Sequence, residues 1–246
     1  MNTDHQWERF GKIDPYYGVL TQDEYHKDKL NKESKEKFFN TGDNYVKYIF
    51  NNIYKQFIPD FKPKCSLDYG CGVGRVVIPL SKYSKLVNGV DISRSMLNLC
   101  EANCKEYNIN NFQLSKADGE LITQKYDFIH SIDVFQHIPV KKGEKIFRNL
   151  VKHLEPDGIG LIHFTYAKKN TMRTFIEFIR DKIPFMSNLF NLIKGRNFFY
   201  PVMQMNSYSL NNLFLILQNS GIKKTYCEFS EHRNDLGIAI YFQKSS

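Results

Sequence analysis

From residue 64 onward, short apolar runs alternate with segments of helical periodicity, and this alternation constrains the fold more than any other feature. Five apolar runs are predicted strands, at 64–69, 86–91, 111–116, 126–132 and 158–166. Helical patterns lie between them at 74–83, 93–107 and 141–154. Strands that alternate with helices form a parallel sheet with helices on both faces, joined by right-handed crossovers.

Outside this block the pattern divides the chain into four parts. Residues 1–63 are polar, aromatic and helical in pattern, which predicts an N-terminal helical cap or lid. Residues 64–167 form the Rossmann-like core, and 168–205 read as a helical insertion after the fifth strand. Residues 206–246 contain a helix at 208–219 and a hairpin of strands 223–229 and 236–243 that completes the core sheet. The predicted fold class is therefore α/β, with a doubly wound, seven-stranded, mostly parallel sheet whose last strand is antiparallel.

Composition narrows the class of protein. The 246 residues are 42% hydrophobic and 24% charged, which suits one α/β domain with additions. No apolar stretch approaches the roughly 20 residues that span a bilayer, and the N-terminus lacks the apolar core of a signal peptide. Five cysteines occur without a CxxC pair or a histidine at metal-ligand spacing. We therefore expect a cytoplasmic protein with free thiols, no metal and no stable membrane insertion.

The net charge of +8 is unevenly distributed. Lysine supplies 26 of the 34 basic residues, and residues 168–205 alone carry +5 of the excess, with Arg173 and Arg180 among them. The core is nearly neutral, so a general nucleic-acid surface is not expected. The basic insertion instead indicates an anionic small-molecule partner.

A glycine-rich loop, LDYGCGVGR at 67–75, follows the first predicted strand and opens a helix. Glycines there allow a tight turn and a close approach of backbone to ligand. The spacing is GxGxG. A dinucleotide fingerprint would need glycine where Arg75 stands, and a P-loop would need GK[ST]. Asp68, just before the loop, would repel a pyrophosphate but favour a cationic ligand; its alternative role is to cap the following helix.

Two more acids follow predicted strands. Asp91 ends the second strand about 20 residues beyond the glycines, where a carboxylate accepts two hydrogen bonds from a ribose diol. Asp118 follows the third strand and could accept the exocyclic amine of an adenine. Ile92 and Met96 are placed to pack on the ring. Each acid could instead be a surface or helix-capping residue.

These motifs together resemble the class I S-adenosylmethionine-dependent methyltransferases, and in particular small-molecule and glycan O-methyltransferases of bacterial biosynthetic clusters. The match covers about residues 64–166 plus the final hairpin, and it includes VDIS at 90–93, ADG at 117–119, VFQHIP at 134–139 and LEPDG at 154–158. The resemblance implies a seven-stranded sheet in which the last strand inserts antiparallel beside strand 5. It implies S-adenosylmethionine as cofactor and S-adenosylhomocysteine as product. The cofactor-binding residues that it implies are Asp68, Gly70, Cys71, Gly72, Gly74, Asp91, Ile92, Met96, Ala117, Asp118, Gly119 and, near the sulfonium, Ser131.

The residues that would contact the methyl acceptor are marked by less specific patterns than the cofactor-binding residues. His137 follows strand 4 and is either the general base of an alcohol acceptor or a structural residue. Trp7 and Tyr17 belong to N-terminal aromatic clusters that either cover the acceptor or pack the cap onto the sheet. Arg173 and Arg180 are the insertion's candidates for contacting an anionic substrate.

The sequence thus predicts an S-adenosylmethionine-dependent methyltransferase (EC 2.1.1) that O-methylates a small-molecule or glycan-type acceptor, phosphorylated or nucleotide-linked. Three alternatives stay open. The basic insertion could serve an RNA or protein methyltransferase, although no NPPY or DPPY tetrad follows strand 4. The amphipathic, basic stretch 172–200 could bring the enzyme to a lipid-linked acceptor at a membrane surface. The chain could also be a non-catalytic, cofactor-binding subunit; its oligomeric state is open.

Overall fold

The computed structural model describes residues 3–117, 122–169, 191–192, 198, 200–232 and 234–245. Within them lies a sheet of seven strands in the order β3-β2-β1-β4-β5-β7-β6. The strands are β1 (Cys65–Tyr69), β2 (Leu86–Asp91), β3 (Phe112–Lys116), β4 (Tyr126–Ser131), β5 (Leu154–Lys168), β6 (Ile222–His232) and β7 (Asp235–Lys244).

The first five strands are parallel, and β7 runs antiparallel between β5 and β6. The hairpin of β6 and β7 therefore completes the sheet. Its second strand, β7, lies next to β5, and its first strand, β6, forms the edge. This arrangement confirms the predicted α/β fold class and the antiparallel last strand. The carboxyl ends of β1, β2 and β4 meet at one edge, where the glycine loop also lies.

Helices cover both faces of the sheet. They are α1 (Thr3–Ile13), α2 (Pro15–Val19), α3 (Lys32–Gln56), α4 (Val77–Leu80), α5 (Arg94–Glu106), α6 (Val140–Lys152) and α7 (Leu210–Asn219), with 3-10 turns at Asp23–Tyr25 and Phe135–His137. One apolar core joins α3, α4 and α5 to the sheet, and a second core lies under α6 and α7. The N-terminal helices contribute to the first core, so the cap is packed onto the domain.

The long helix α3 shows how local sequence sets these elements. Asn31 caps it by accepting a hydrogen bond from the Ser34 backbone, and the Ser34 hydroxyl accepts one from the Asn31 backbone in return. Buried residues then recur at helical spacing from Phe38 to Ile53. The helix is amphipathic, and its apolar stripe faces the sheet.

Two predicted boundaries differ from the structure. The helix expected at 74–83 is regular only over α4, because Gly74 has a φ of 92° and the loop continues past it. The turn expected at 155–158 lies within the span of β5, where Asp157 has a φ of 60° and the register against β4 shifts. Most of the helical insertion expected at 168–205 lies outside the described residues.

The stretch 200–208 packs against the segment that follows β4. The Tyr208 hydroxyl oxygen lies 3.0 and 2.8 Å from the carbonyl oxygens of Phe135 and Ile138, which share its one proton, and Tyr208 is 1% exposed. Helix α6 passes so close that a Cβ at Gly143 would lie 1.9 Å from that hydroxyl oxygen. Gly143 is therefore required by packing although it lies within a helix.

Gly143→Ala is expected to lower the free energy of unfolding by about 1–3 kcal/mol through overpacking. At an exposed helical glycine the same change would instead raise the free energy of unfolding, by about 1 kcal/mol. In a Tyr208→Phe background the alanine should cost less, because the closest atom is gone. Urea unfolding of the two single variants and the double variant measures this coupling; additive losses, or a stable Gly143→Ala protein, would contradict it.

Candidate active site

The glycine loop leaves β1 in a conformation that only glycine adopts easily. Gly70, Gly72 and Gly74 have φ values of 83°, 52° and 92°. The backbone amides of Gly70 and Cys71 both donate to the carbonyl oxygen of Val90, at 2.7 and 3.0 Å. The loop is thereby fixed to the end of β2.

Asp91 supplies a second connection between the loop and β2. Its carboxylate accepts hydrogen bonds from the backbone amides of Gly72 and Ser93, each at 2.9 Å. Burial, together with a smaller effect of the nearby Asp68 charge, raises the pKa of this carboxyl to about 6, against the lowering effect of those hydrogen bonds. The carboxylate is thus held rigidly and partly desolvated, with acceptor capacity left for a ligand.

A cavity of about 300 Å³ opens above these strand ends. Apolar side chains and glycines dominate its walls, and the charged or titratable groups among them are three carboxylates, a histidine and two lysines. The walls include Thr3, Asp4, Trp7, Gly18 and Val19 from the cap; Tyr69, Gly70, Gly72, Val90, Asp91, Ile92, Met96 and Ala117 beside the loop and strands β2 and β3; and Ile132, Asp133, Val134, His137, Lys142, Lys145 and Ile146 after β4. Such a mixture suits a largely apolar ligand fixed by a few polar contacts.

Helix α1 forms the cap side of the cavity because Glu8 docks it onto the start of α5. The Glu8 carboxylate accepts hydrogen bonds from both hydroxyls and one amide of the Ser93–Ser95 turn, at 2.7 to 3.2 Å. Burial favours a higher pKa for Glu8, but these hydrogen bonds outweigh it and lower the pKa to about 2. This stabilisation is present above about pH 4.5 and is lost as the pH falls toward 2. Gly11 fits the same contact, since a Cβ there would lie 2.7 Å from the Ser93 hydroxyl.

His137 lies at the opposite wall. Its Nδ1 is 2.8 Å from the carbonyl oxygen of Gln204, which can only accept, so Nδ1 carries the proton and Nε2 has the lone pair. Burial lowers the pKa of the ring, which keeps it neutral at pH 7. The Gln136 amide nitrogen is 3.3 Å from Nε2, and the Trp7 ring centroid is 4.9 Å from that of His137.

The other predicted cofactor residues divide into those on the wall and those behind it. Gly70, Gly72, Asp91, Ile92, Met96 and Ala117 line the cavity, whereas Asp68, Cys71, Gly74 and Ser131 do not. Asp68 is buried and bonded at 2.8 Å to Nδ1 of His130, and the Ser131 hydroxyl donates to the carbonyl oxygen of Tyr69. Asp118 and Gly119 lie outside the described residues.

The predicted acceptor residues are also separated. Trp7 and His137 are together on the cavity wall. Tyr17 is buried beside it, stacked on the His26 ring at a centroid distance of 3.8 Å. Arg173 and Arg180 lie outside the described residues.

Sequence reasoning missed the contribution of α6 and of the docking contacts. Lys142, Lys145 and Ile146 recur at helical spacing and reach the cavity from α6. That periodicity was visible, but their orientation toward the ligand depends on how α6 packs. Glu8 gave no local signal, because its partners lie 85 and 87 residues away.

Comparison with known proteins shows what the central part of the chain resembles. Residues 67–158 match a family model described as a methyltransferase domain. The matched region begins in β1 and ends in β5, and it contains the glycine loop, Asp91 and His137. Over residues 67–158 the chain is therefore similar to methyltransferase domains. S-adenosylmethionine is the cofactor that this domain family uses, as the sequence predicted.

Curated relatives of the methyltransferase domain include the ubiquinone biosynthesis O-methyltransferases of Rickettsia akari (strain Hartford) and Coxiella burnetii (strain RSA 493 / Nine Mile phase I). The first is 30% identical over 118 residues, which are 48% of this chain and 46% of the relative. The second is 27% identical over 118 residues, 45% of this chain and 49% of the relative. The match thus spans about half the length of each relative.

Solved structures share the fold over more of the chain. Magnesium protoporphyrin IX methyltransferase from Synechocystis PCC 6803, crystallised with S-adenosylhomocysteine, has a TM-score of 0.64 and 17% identity and covers 99% of this chain and 100% of its own. TehB from Haemophilus influenzae has a TM-score of 0.55 and 16% identity, with coverage of 95% and 67%. At these identities the likeness concerns the fold.

The residues on the cavity wall fit the family's cofactor. Asp91 offers a fixed carboxylate to a ribose diol, and Ile92, Met96 and Ala117 provide an apolar surface for an adenine ring. Gly72 allows the cap to approach the loop closely, since a Cβ there would lie only 2.8 Å from the Val19 side chain. The cavity therefore has both the polar anchor and the apolar wall that an adenosine requires.

Within the ranges that the structure describes, no group of three or more His, Cys, Asp or Glu side chains is arranged to hold a metal ion. Among the same residues, no helix is both long and apolar enough to cross a bilayer.

Because the ribose hydroxyls need an ionised acceptor, cofactor affinity should depend on the charge of Asp91. Its pKa of about 6 in the free protein predicts constant affinity above pH 7 and about tenfold weaker binding at pH 5. Calorimetric titration with S-adenosylhomocysteine across this range measures the effect. Asp91→Asn is the matched control, and it should bind weakly with no pH dependence in this interval. A wild-type affinity that stays constant from pH 5 to 8 would remove Asp91 from cofactor binding.

Proposed function

We propose that this protein transfers a methyl group from S-adenosylmethionine to the oxygen of a small-molecule acceptor. The observation that carries the proposal is the Asp91 carboxylate, presented on a cavity wall by the amides of Gly72 and Ser93. The matched curated relatives are named as O-methyltransferases, which supports oxygen as the acceptor atom. Since the match covers about half of each relative, the activity and acceptor are inferred for this chain.

The cofactor, when bound, supplies an electrophilic methyl group on a sulfonium. The protein's part is to align that group, exclude water and manage the acceptor's proton. Asp91 would hold the ribose, while Ile92, Met96 and Ala117 would enclose the adenine. The sequence-based roles of Asp118 and Gly119 at the adenine remain part of the proposal.

The cap would exclude water from the reacting groups. Trp7 lies between Phe10 and His137, with ring centroid distances of 5.3 and 4.9 Å. At the start of α1, the Thr3 hydroxyl donates a hydrogen bond of 3.1 Å to the side-chain oxygen of Gln204, and Asp4 forms an ion pair with Lys142. These contacts tie α1 to the far side of the cavity, so a bound cofactor would be covered by the helix.

His137 is the group best placed to accept a proton from an alcohol. Its neutral form is favoured by burial, and its Nδ1–H is fixed by Gln204, which leaves Nε2 as the only basic atom. The amide of Gln136 lies at 3.3 Å from that atom, a long hydrogen bond that an acceptor hydroxyl could replace. His137 would thus hold the proton at Nε2 after methyl transfer.

Two lysines on one wall of the cavity support an anionic acceptor, although three carboxylates, Asp4, Asp91 and Asp133, also belong to the lining. Lys142 and Lys145 reach its wall from α6, and Lys145 has no carboxylate partner among the described residues. Arg173 and Arg180 of the insertion would add to this field if they lie on the same side. A phosphorylated or nucleotide-linked sugar, or another acidic small molecule, would match these charges.

The proposal predicts that the protein binds S-adenosylmethionine and releases S-adenosylhomocysteine only with an acceptor. Calorimetry tests the first part, with Asp91→Ala as the variant expected to lose binding. A homocysteine-release assay across neutral and anionic hydroxyl compounds tests the second. Absence of cofactor binding by the wild type would overturn the proposal, and turnover of neutral acceptors alone would overturn the anionic acceptor.

His137→Ala is expected to lower kcat by roughly a hundredfold or more while the dissociation constant of S-adenosylhomocysteine stays within about threefold. The wild-type rate should rise with pH to a plateau, with a midpoint below the ordinary histidine value because burial lowers the pKa, and the variant should lack this limb. His153→Ala, on the distal end of α6, is the matched control. Equal losses of turnover, cofactor affinity and thermal stability would instead make His137 structural.

A further inference from the structure

The side chain of Gln136 is held on both sides, next to the basic nitrogen of His137. Its oxygen Oε1 is 2.9 Å from the Thr165 hydroxyl, and its amide nitrogen is 3.3 Å from Nε2 of His137. The same nitrogen is 3.4 Å from the Asp133 carbonyl oxygen, and the Gln136 backbone oxygen accepts two hydrogen bonds from Asn206. Among the described residues, Gln136 is the sole hydrogen-bond partner of that histidine nitrogen.

A backbone carbonyl fixes the direction of each hydrogen bond in this chain of side chains. The Gln204 carbonyl oxygen can only accept, so His137 carries its proton on Nδ1 and presents a lone pair at Nε2. The group that faces a lone pair must be a donor, which places the NH2 group of Gln136 there and its oxygen toward Thr165. The Thr165 hydroxyl then donates to Oε1. Neutral His137 therefore has a partner on each ring nitrogen.

Protonation of His137 reverses what Nε2 requires. Once Nε2 carries a hydrogen, two donors face each other across 3.3 Å, and a buried ring has lost one hydrogen bond. A half-turn of the Gln136 amide exchanges its oxygen and nitrogen, a rotation that the broad terminal torsion of glutamine permits. Oε1 would then accept from Nε2–H, and the NH2 group would face Thr165. The threonine hydroxyl suits both orientations because it can donate and accept.

Charged groups surround this ring, but none of them in the described part of the chain is hydrogen-bonded to its Nε2. Asp133 lies in the same loop and is 3.4 Å from the ring of His163 on β5. Asp4 on α1 and Lys142 on α6 form an ion pair, and Lys145 lines the same cavity. Burial lowers the pKa of the ring, and Asp133 acts in the opposite direction. The group that must adapt when the ring gains a proton is therefore the neutral amide.

We propose that Gln136 and Thr165 are positioning residues that keep His137 hydrogen-bonded in both of its protonation states through a flip of the Gln136 amide. The inference rests on the proposed function, in which the acceptor oxygen gains the methyl group as the sulfonium–methyl bond breaks and its proton passes to Nε2. An acceptor hydroxyl would displace the amide from Nε2 before this step. After the product leaves, the imidazolium would donate to Oε1 until its proton passes to water.

A flipping amide and a fixed amide change the titration of His137 in opposite directions. An amide that only donates stabilises the neutral ring, so its removal would raise the pKa. An amide that flips also accepts a hydrogen bond from the imidazolium, and a bond to a charged group is about twice as strong as one to a neutral group. Removal of a flipping amide should therefore lower the pKa of His137.

The test follows the His137 ring by NMR in protein labelled with nitrogen-15 histidine, without cofactor or acceptor, and the His137→Ala spectrum identifies its signal. Gln136→Met, which has a similar length and no amide, is expected to lower the titration midpoint by about one pH unit, a tenfold change in the protonation equilibrium. Gln136→Glu, which can only accept when ionised, should raise the midpoint by a similar amount. Gln113→Met, at an exposed position of β3, is the matched control and should leave it unchanged.

Thr165→Val tests the second member of the pair. Each orientation of the amide loses one hydrogen bond to the hydroxyl, so the midpoint should move by less than about half a pH unit. Thr165→Ser, which restores a hydroxyl, should match the wild type. If the threonine instead locked the amide as a donor, valine would release it and the midpoint would rise. Thr225→Val, at an exposed position of β6, is the matched control.

A midpoint that rises or stays constant in Gln136→Met would overturn the flip and leave the proposed function intact. A lower midpoint combined with full turnover by His137→Ala would overturn the proposed base, and with it the part of this pair in the reaction. If Gln136→Met does not fold, Thr165→Val decides, because a raised midpoint contradicts the flip and an unchanged one supports it.

Discussion

The joint between the glycine loop and the end of β2 is the constraint on which the rest of the site depends. Three left-handed glycines have no intrinsic reason to settle in one conformation, because their backbone is the most permissive in the chain. The Val90 carbonyl and the Asp91 carboxylate hold the loop from one side with backbone hydrogen bonds. The position of Asp91 and the shape of the cavity floor are therefore set by the same contacts.

Two carboxylates on either side of the Ser93 turn show how environment divides similar groups into different roles. Glu8 receives hydrogen bonds from two hydroxyls and an amide, and its pKa falls to about 2, so it stays charged and docks α1. Asp91 is more strongly desolvated, and its pKa rises to about 6. The first group is saturated by the protein, whereas the second retains a capacity that the protein does not use.

Much of the fold was predictable because its signals are local. Strand–helix alternation indicated the parallel sheet, and the late pair of strands indicated the hairpin of β6 and β7. The position of β7 beside β5 was implied by the family resemblance. Of the six predicted cofactor residues found on the cavity wall, five belong to strand ends and the turns directly after them, and Met96 lies in the first turn of α5. Topology alone fixes these locations. Asp68 and Ser131 lie on the same strands but turn toward His130 and Tyr69, which depends on side-chain packing. Glu8 and Lys142 act through partners remote in sequence, so no local pattern could reveal them.

The docking of α1 has a kinetic consequence. Because the helix forms one wall of the cavity and is held near its start by Asp4 to Lys142 and near its middle by Glu8 to the start of α5, the exchange of a bound ligand with solvent is expected to depend on how often these contacts open. The residence time of a ligand then follows the opening rate of the helix and not the strength of its own contacts alone. Changes in the first turns of the chain, far from any reacting atom, would in that way set how fast the site can be emptied and reloaded.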